Sequence, residues 1–518
     1  MEPDAHYFEP FIKPLLDQPG STYRYAHLDI EHSSSYWKEL HRVQADPNLL
    51  PPKPVASSES SELRQFDPSV LVIGNIARQI RSKATTHTLT QHSLVLHQLA
   101  QHALANQYFQ SAGLVRMLLW VPEEHKPNLL APMLWLRSSS NLGLSLAFNI
   151  NETAHVQSLD VVNEQRLAMD KVARRRSIML DVLNADAVND RMKRTGMTMP
   201  EGRIPKELES LSPPDGKLPE ARSPLVPARQ DPTEIQSTID EINVIIDDAS
   251  SWVRGIQHPG KLDSDILEYP QVTELVAEFW KLKQQSLNPE RLMLHLDVGL
   301  RLINVEATFK EFEESDPAYS SLQTLNDNVL ALGDKFNKLI ESCGFNHRNA
   351  IRDILDEQTA YFASPSLLTL YDRSYEPLKA NSSEFWPNQN LALFDLIPKE
   401  RDLTVPGLAT SAEAGRIASE FLKSLFASRN MPLPQALDKV AVNAAQDLIP
   451  KVPAITDARR GGRLDPNNIR VRMITEEMVE GLVKAFFEWP FRPESWELEL
   501  ANTNLHSSDQ AEMEEPSH

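Results

Sequence analysis

The stretch Val70-Leu71-Val72-Ile73-Gly74-Asn75-Ile76-Ala77-Arg78 decides how the rest of the chain is interpreted. Its short β-branched run predicts a strand that is buried on both faces, in the middle of a parallel sheet. The run ends abruptly at Gly74-Asn75. Because ligands bind beyond the carboxyl ends of the strands in open α/β sheets, we expect Asn75 to lie where a ligand is held.

Bulk composition excludes several classes of protein. The chain has 518 residues and a formal net charge of -20, which argues against nonspecific nucleic-acid binding by the molecule as a whole. Charge is screened over about 8 Å at physiological salt, so a local basic patch can still act. The single cysteine, Cys343, excludes an internal disulfide framework and indicates a reducing compartment. No apolar run approaches the roughly 20 residues that span a membrane.

Two basic clusters are candidate nucleic-acid sites within this acidic chain. The first lies in a predicted helix and comprises Lys171, Arg174, Arg175 and Arg176. The second surrounds Gly461-Gly462 and comprises Arg459, Arg460, Arg463, Arg470 and Arg472. The alternative for both clusters is solvated surface charge, which is favoured for the first cluster and weighs equally with nucleic-acid binding for the second.

The spacing of glycines and histidines excludes the common nucleotide-binding motifs and argues against a histidine metal site. The 17 glycines include no G-x-G pair, which excludes the Rossmann dinucleotide fingerprint, and no stretch matches a P-loop. Histidines at 87, 92, 97 and 102 lie in a predicted helix. A step of five residues scatters them around that helix, so we expect no metal site.

The chain alternates strand-like and helix-like stretches at its start and becomes mostly helical later. Predicted strands are Tyr23–Ile30, Val70–Ile73 and Leu114–Val121, with a helix over Ser82–Gln110 before the last. We expect an incomplete Rossmann-like domain over 1–160, a helical connection over 161–198, a Pro-rich linker over 199–232, a helical insertion over 233–363, a Pro-rich irregular segment over 364–410, a helical C-terminal domain over 411–500 and a disordered acidic tail over 501–518.

With the strands placed, Gly74-Asn75-Ile76-Ala77 resembles a degenerate Asn-Leu/Ile-Pro-Tyr motif of adenine-N6 methyltransferases. The chain is similar to the rRNA adenine dimethylase family, in its fungal mitochondrial transcription factor B branch. The order of several pieces supports this resemblance. They are Met1-Glu2-Pro3-Asp4, His27-Leu28-Asp29, the strand 113–120, Arg470-Val471-Arg472-Met473 and the segment 485–493.

The resemblance implies a role for each matching position. Asn75 and the carbonyl of Ala77 would accept hydrogen bonds from an adenine amine, and Arg78 replaces the aromatic that stacks on the base. Glu2 and Asp29, with Asn75, would hold the cofactor S-adenosylmethionine. Nucleic acid would be contacted by residues near the pocket and in the two basic clusters. These are Arg78, Arg81, Lys83, Arg174, Arg175, Arg459 and Arg460.

Departures from the family favour binding over catalysis. The chain begins where the family's second strand ends, so the first strand and its glycine loop are expected to be missing, and we expect S-adenosylmethionine not to be bound. We therefore expect a class I methyltransferase remnant followed by a large helical region. By resemblance, it would serve as a mitochondrial transcription initiation factor that binds RNA polymerase and promoter DNA.

Two alternatives stay open at this point. One is an active S-adenosylmethionine-dependent rRNA adenine N6-dimethyltransferase, motivated by Glu2, Asp29 and Asn75. The other is a helical scaffold protein that carries an inert α/β remnant. For the scaffold, Trp489, Phe491 and Trp496 are interface candidates, with core packing as the commoner role of such residues.

Overall fold

A computed structural model provides the structure of the protein. It describes residues 8–26, 33–49, 65–76, 91–104, 107–111, 113–131, 133–156, 188–203, 231–253, 289–363, 367–368, 370, 373–385, 388–400, 411–494 and 496–498. Within these ranges the protein is an α/β protein with a mixed five-stranded sheet and many helices, which confirms the predicted α/β class.

The chain divides into two compact units. Unit 1 comprises residues 1–129, 140–156 and 381–419, and unit 2 comprises 130–139, 157–380 and 420–518. The sequence places the end of the α/β domain near residue 160. In the structure, residues 381–419 return to unit 1 and contribute a strand to its sheet.

The sheet has the strand order β1-β2-β5-β3-β4. Its strands are β1 (Phe66–Asn75), β2 (Leu114–Pro122), β3 (Phe148–Val156), β4 (Leu378–Ala380) and β5 (Leu391–Pro398). β1 and β2 are parallel, whereas β5 runs antiparallel to both β2 and β3. β2 and β3 therefore point the same way on either side of a reversed strand.

The prediction that Val70–Ile73 is a central strand, buried on both faces, is wrong. β1 is the outermost strand in the sheet order, and the side chains of Leu71 and Ile73 are 50% and 68% exposed. The strand buried on both faces is β5, whose sequence LALFDLIP was expected to be irregular. An apolar run is compatible with either position, because burial is decided by which strands pair with it.

The other predicted strands and the helix between them have mixed outcomes. Leu114–Val121 is confirmed as β2. The predicted strand at Tyr23–Ile30 is wrong over its described part, because residues 21–26 have no regular structure. The helix expected over Ser82–Gln110 is observed as Gln91–Leu104, and residues 77–90 lie outside the described ranges.

The described helices are named here in chain order. They are α1 (Lys13–Leu16), α2 (Ser33–Ala45), α3 (Gln91–Leu104), α4 (Lys126–Leu129), α5 (Ser139–Ala147), α6 (Pro232–Val253), α7 (Pro289–Ser315), α8 (Leu322–Glu341), α9 (Phe345–Phe362), α10 (Ser411–Phe426), α11 (Leu433–Val440), α12 (Ala444–Leu448) and α13 (Glu476–Phe487). A π-helical turn at Phe8–Ile12 precedes α1, and residues 188–195 are also helical. The division between the units falls within α10, after Ser419.

Helices α6 to α9 form the apolar core of unit 2. The buried residues of α6 recur at steps of four and three, at Ile235, Ile239, Ile242 and Ile246, so they share one face. α7 is buried along most of its length, with Val298 and Phe309 fully enclosed, and is the central helix of this group. These helices account for most of the described residues within 233–363, the range expected to be a helical insertion.

The end of the described chain is a series of short helices and 3₁₀ turns. Trp489 is buried, and its indole N–H donates to Asp447 Oδ2 at 2.7 Å. Phe491 and Trp496 remain exposed. None of the helices in the described ranges has the length and apolar character needed to cross a membrane.

Replacing either of two glycines in unit 2 by alanine is expected to change the stability of the fold, in opposite directions. A Cβ at Gly462 would lie 2.3 Å from the carbonyl oxygen of Ala454 and 2.4 Å from that of Ile455, whereas a Cβ at Gly333 in α8 meets no atom within 4 Å. We expect Gly462→Ala to lower the free energy of unfolding by roughly 2–3 kcal/mol, because backbone atoms must move. Gly333→Ala should raise it by up to about 1 kcal/mol, through helix propensity.

Urea unfolding followed by tryptophan fluorescence measures both effects. An unchanged midpoint for Gly462→Ala would contradict the close packing of this turn.

Candidate functional site

The carboxyl ends of three strands lie at one edge of the sheet in unit 1. β1 and β2 are parallel, and β3 has the same direction because both β2 and β3 oppose β5. β1 ends at Asn75, β2 at Pro122 and β3 at Val156. This is the edge where ligands bind in open α/β sheets. The predicted position of Asn75, at the end of its strand, is confirmed.

Asn75 lies beside an aromatic side chain. It is the register partner of Trp120 on β2, and the backbone N–H of Ile76 donates to the carbonyl of Trp120 at 2.9 Å. Since paired residues of adjacent parallel strands point to the same side of the sheet, the amide and the indole share a face. The neighbouring pair, Gly74 and Leu119, points to the other face, where Leu119 is buried.

The Asn75–Trp120 face is partly exposed. Asn75 is exposed, and Trp120 is half-buried and packs edge-to-face on Phe385, with the ring centroids 5.0 Å apart. The adjacent exposed Ile73 continues the same face along β1. An amide that can both donate and accept hydrogen bonds thus lies next to a supported aromatic ring.

A buried charged group joins the segment that follows β2 to the middle of β3. Glu152 of β3 accepts from Lys126 Nζ at 2.6 Å, and its other oxygen is 3.0 Å from His155 Nδ1. Burial alone would raise the pKa of Glu152, but Lys126 and His155 outweigh it and lower the pKa to about 2. Glu123 and His125, directly after β2, are also buried. Glu152 is therefore held ionised, and its partners tie the end of β2 to β3.

The second basic cluster is paired with carboxylates inside unit 2. Arg459 contacts both Glu314 of α7, at 2.5 Å, and Asp457, at 2.7 Å. Arg460 pairs with Glu477 of α13. Glu314 and Asp457 raise the pKa of Arg459 above its ordinary value. The positive charge that the sequence offers to nucleic acid at these two positions is locally compensated.

The remaining arginines of this cluster join the segment 463–472 to α7 and α9. Arg463 donates two hydrogen bonds of 2.8 Å to the buried Glu306. Arg470 and Arg472 both contact Asp353 and Asp356 of α9, the closest pair being Arg472 Nη2 and Asp353 Oδ1 at 2.5 Å.

Most residues assigned through the resemblance lie outside the described ranges. These are Glu2, Asp29, Ala77, Arg78, Arg81, Lys83, Arg174 and Arg175. Of the three residues assigned to S-adenosylmethionine, the structure describes Asn75 alone. In the described part of the chain, no group of three or more His, Cys, Asp or Glu side chains is arranged to hold a metal ion.

Sequence reasoning missed Trp120 and the Glu152 group. The sequence correctly assigns Trp120 to a strand. That Trp120 lies next to Asn75, however, can be known only from the register between β1 and β2. Lys126, Glu152 and His155 come from two separate segments, with no motif spacing to connect them. A signal for Lys126 did exist, because it follows the end of a predicted strand at the ligand-binding edge.

Comparison of the chain with protein-family models, with curated proteins and with solved structures gives no significant match.

The lowered pKa of Glu152 predicts a particular loss of stability in acid. Its pKa is 4.5 ordinarily and about 2 in the fold, so the unfolded state binds the proton first. The stabilisation is complete above pH 4.5 and is lost as the pH falls towards 2, by about 3 kcal/mol at most. We expect Glu152→Gln to be less stable at pH 7, because it leaves Lys126 and His155 without their anion, and to lack this acid-dependent loss.

Urea unfolding at a series of pH values tests this expectation, with Glu124→Gln as the matched control on an exposed neighbouring carboxylate. Parallel acid profiles for wild type and Glu152→Gln would show that the buried pair does not stabilise the fold.

Proposed function

We propose that the protein is a single-stranded nucleic-acid-binding factor built on a methyltransferase-like half-sheet. In this proposal it acts with RNA polymerase at promoter DNA in mitochondrial transcription initiation. The observation that carries the proposal is the Asn75–Trp120 pair at the ligand-binding edge of the sheet. An aromatic ring on which a base stacks, beside an amide that reads its edge, is how proteins hold unstacked bases.

The topology of unit 1 supports the methyltransferase part of this proposal. β1 and β2 are parallel neighbours with α3 in the connection between them, which is a β-α-β unit. The motif that resembles the family's catalytic motif stands at the end of the first strand of this unit.

Trp120 offers a stacking surface that the resemblance did not supply. The family's aromatic after Asn-Leu/Ile-Pro is replaced by Arg78 in this chain. Trp120 reaches the same edge from the neighbouring strand, and its packing on Phe385 holds the ring in place. Base binding at this edge therefore does not need the lost aromatic.

Charge compensation in unit 2 bears on where nucleic acid binds. Phosphate would have to compete with Glu314, Asp457 and Glu477 for Arg459 and Arg460. We therefore assign nucleic-acid contact first to the Asn75–Trp120 edge, together with the basic residues that follow it in sequence, Arg78, Arg81 and Lys83.

Substitution at the Asn75–Trp120 edge tests this proposal. We expect Trp120→Ala to weaken binding of a fluorescein-labelled single-stranded oligonucleotide by roughly tenfold, since stacking is worth about 1–3 kcal/mol per base. Asn75→Ala should weaken binding less. Fluorescence anisotropy over a range of protein concentrations and salt gives the affinities.

Two matched controls accompany these variants. Asn149 is exposed at the amino-terminal end of β3, hence at the opposite edge of the sheet, and Trp496 is an exposed tryptophan of unit 2. Asn149→Ala and Trp496→Ala should bind as wild type does. Unchanged affinity for Asn75→Ala and for a folded Trp120→Ala protein would refute the proposed site.

An rRNA adenine N6-dimethyltransferase is the second candidate function, because it would use Asn75 at the same edge. Calorimetric titration of the full chain with S-adenosylmethionine separates the two. We expect no submillimolar binding, since the chain matches no glycine-rich loop that brings a cofactor close to the backbone. Submillimolar binding that Asn75→Ala abolishes would favour the enzyme over the binding factor.

A further inference from the structure

Unit 2 contains a polar cleft of about 390 Å³ between α8, α9 and the segment 463–472. Its volume lies within the range of small-molecule sites, roughly 300–1,000 Å³. Four arginines and five asparagines are among its fifteen lining residues, together with two aspartates. Such a lining suits a charged, hydrogen-bonding ligand and not an apolar one.

Of the four arginines that line the cleft, Arg352 has the longest carboxylate contact. Arg470 and Arg472 both contact Asp353 and Asp356. Arg463 is paired with Glu306, which is not among the lining residues. The fourth arginine, Arg352, contacts Glu341 at 3.9 Å, and both side chains are more than a third exposed. Exposed pairs of this length contribute little, so Arg352 is the group most available to an anion.

The electrostatic surroundings of Arg352 are unfavourable to its own charge. Burial, followed by the nearby cations Arg470 and Arg348, lowers the pKa of Arg352. An anion placed against this guanidinium would relieve the repulsion, and a guanidinium binds phosphate or carboxylate through paired N–H donors.

The asparagines supply the complementary hydrogen-bonding groups. Asn337 Nδ2 donates to Asn468 Oδ1 at 2.9 Å, which fixes both amides and leaves Asn337 an acceptor and Asn468 a donor group. Asn349, one turn before Arg352 on α9, also lines the cleft. Paired donor and acceptor groups of this kind match the edge of a nucleobase.

We propose that this cleft binds a small phosphate ester of nucleotide size, with its phosphate on Arg352 and its polar body on the asparagine amides. The site belongs to unit 2 and is independent of the base-binding edge in unit 1. Its occupancy would couple α9 to the segment 463–472, because both contribute side chains to the cleft.

Isothermal titration of the full chain with AMP tests the proposal, with adenosine, inorganic phosphate and citrate as further probes. We expect AMP to bind at submillimolar concentration, adenosine to bind at least tenfold more weakly, and citrate not to match AMP. Arg352→Gln should weaken AMP binding by roughly tenfold or more, since it removes a charged hydrogen-bond donor, whereas Arg352→Lys should weaken it less.

Arg301→Gln is the matched control, because Arg301 is a similarly exposed arginine of α7, paired with Asp297 and outside the cleft. It should bind AMP as wild type does. Should Arg352→Gln fail to fold, Asn349→Leu, which retains the arginine, is expected to reduce AMP binding by obstructing the cleft. The proposal is overturned by absent AMP binding, by equal affinity for adenosine or citrate, or by wild-type affinity in the folded cleft variants.

Discussion

Unit 2 depends on arginine–carboxylate pairs that join residues far apart in sequence. Arg463 and Glu306 are separated by 157 positions, and Arg472 and Asp353 by 119. Removing one partner of a buried pair costs about 3–5 kcal/mol, because the other charge is left without compensation. The segment 457–472 has little regular structure of its own, so these pairs, with its buried apolar residues, fix its path against α7 and α9.

The same ion pairs change how the basic cluster at 459–472 is interpreted. Five arginines within fourteen residues resemble a nucleic-acid patch when only the sequence is considered. Their partners Glu306, Glu314, Asp353 and Asp356 lie on helices more than one hundred residues earlier. In a chain with a net charge of -20, all five arginines of this cluster contact carboxylates of the fold. Arg352, the proposed phosphate contact, lies outside this cluster.

Local pattern was sufficient to predict those elements whose own sequence determines them. The helical character expected over 233–363 is observed in α6 to α9, and β2 follows from its apolar run. The end of β1 at Asn75 follows from Gly74-Asn75. These features need no knowledge of distant partners.

Pairing between distant segments explains what the sequence did not predict. β5 is separated from β3 by more than two hundred residues, and its central position depends on pairing with both β2 and β3. β1 looks like a core strand by composition, yet it has a described neighbour on one side only. For the same reason, the pairing of Trp120 with Asn75 depends on the register between β1 and β2.

The central claim is that bases are held at the carboxyl edge of the unit 1 sheet, whereas the arginines of 459–472 serve the fold. Hydrogen–deuterium exchange of the full chain, with and without a saturating single-stranded oligonucleotide, tests this claim most directly. The account predicts slower exchange in peptides that cover residues 72–76 and 118–126, with residues 457–472 unchanged. Protection confined to 457–472, with none at the sheet edge, would contradict it.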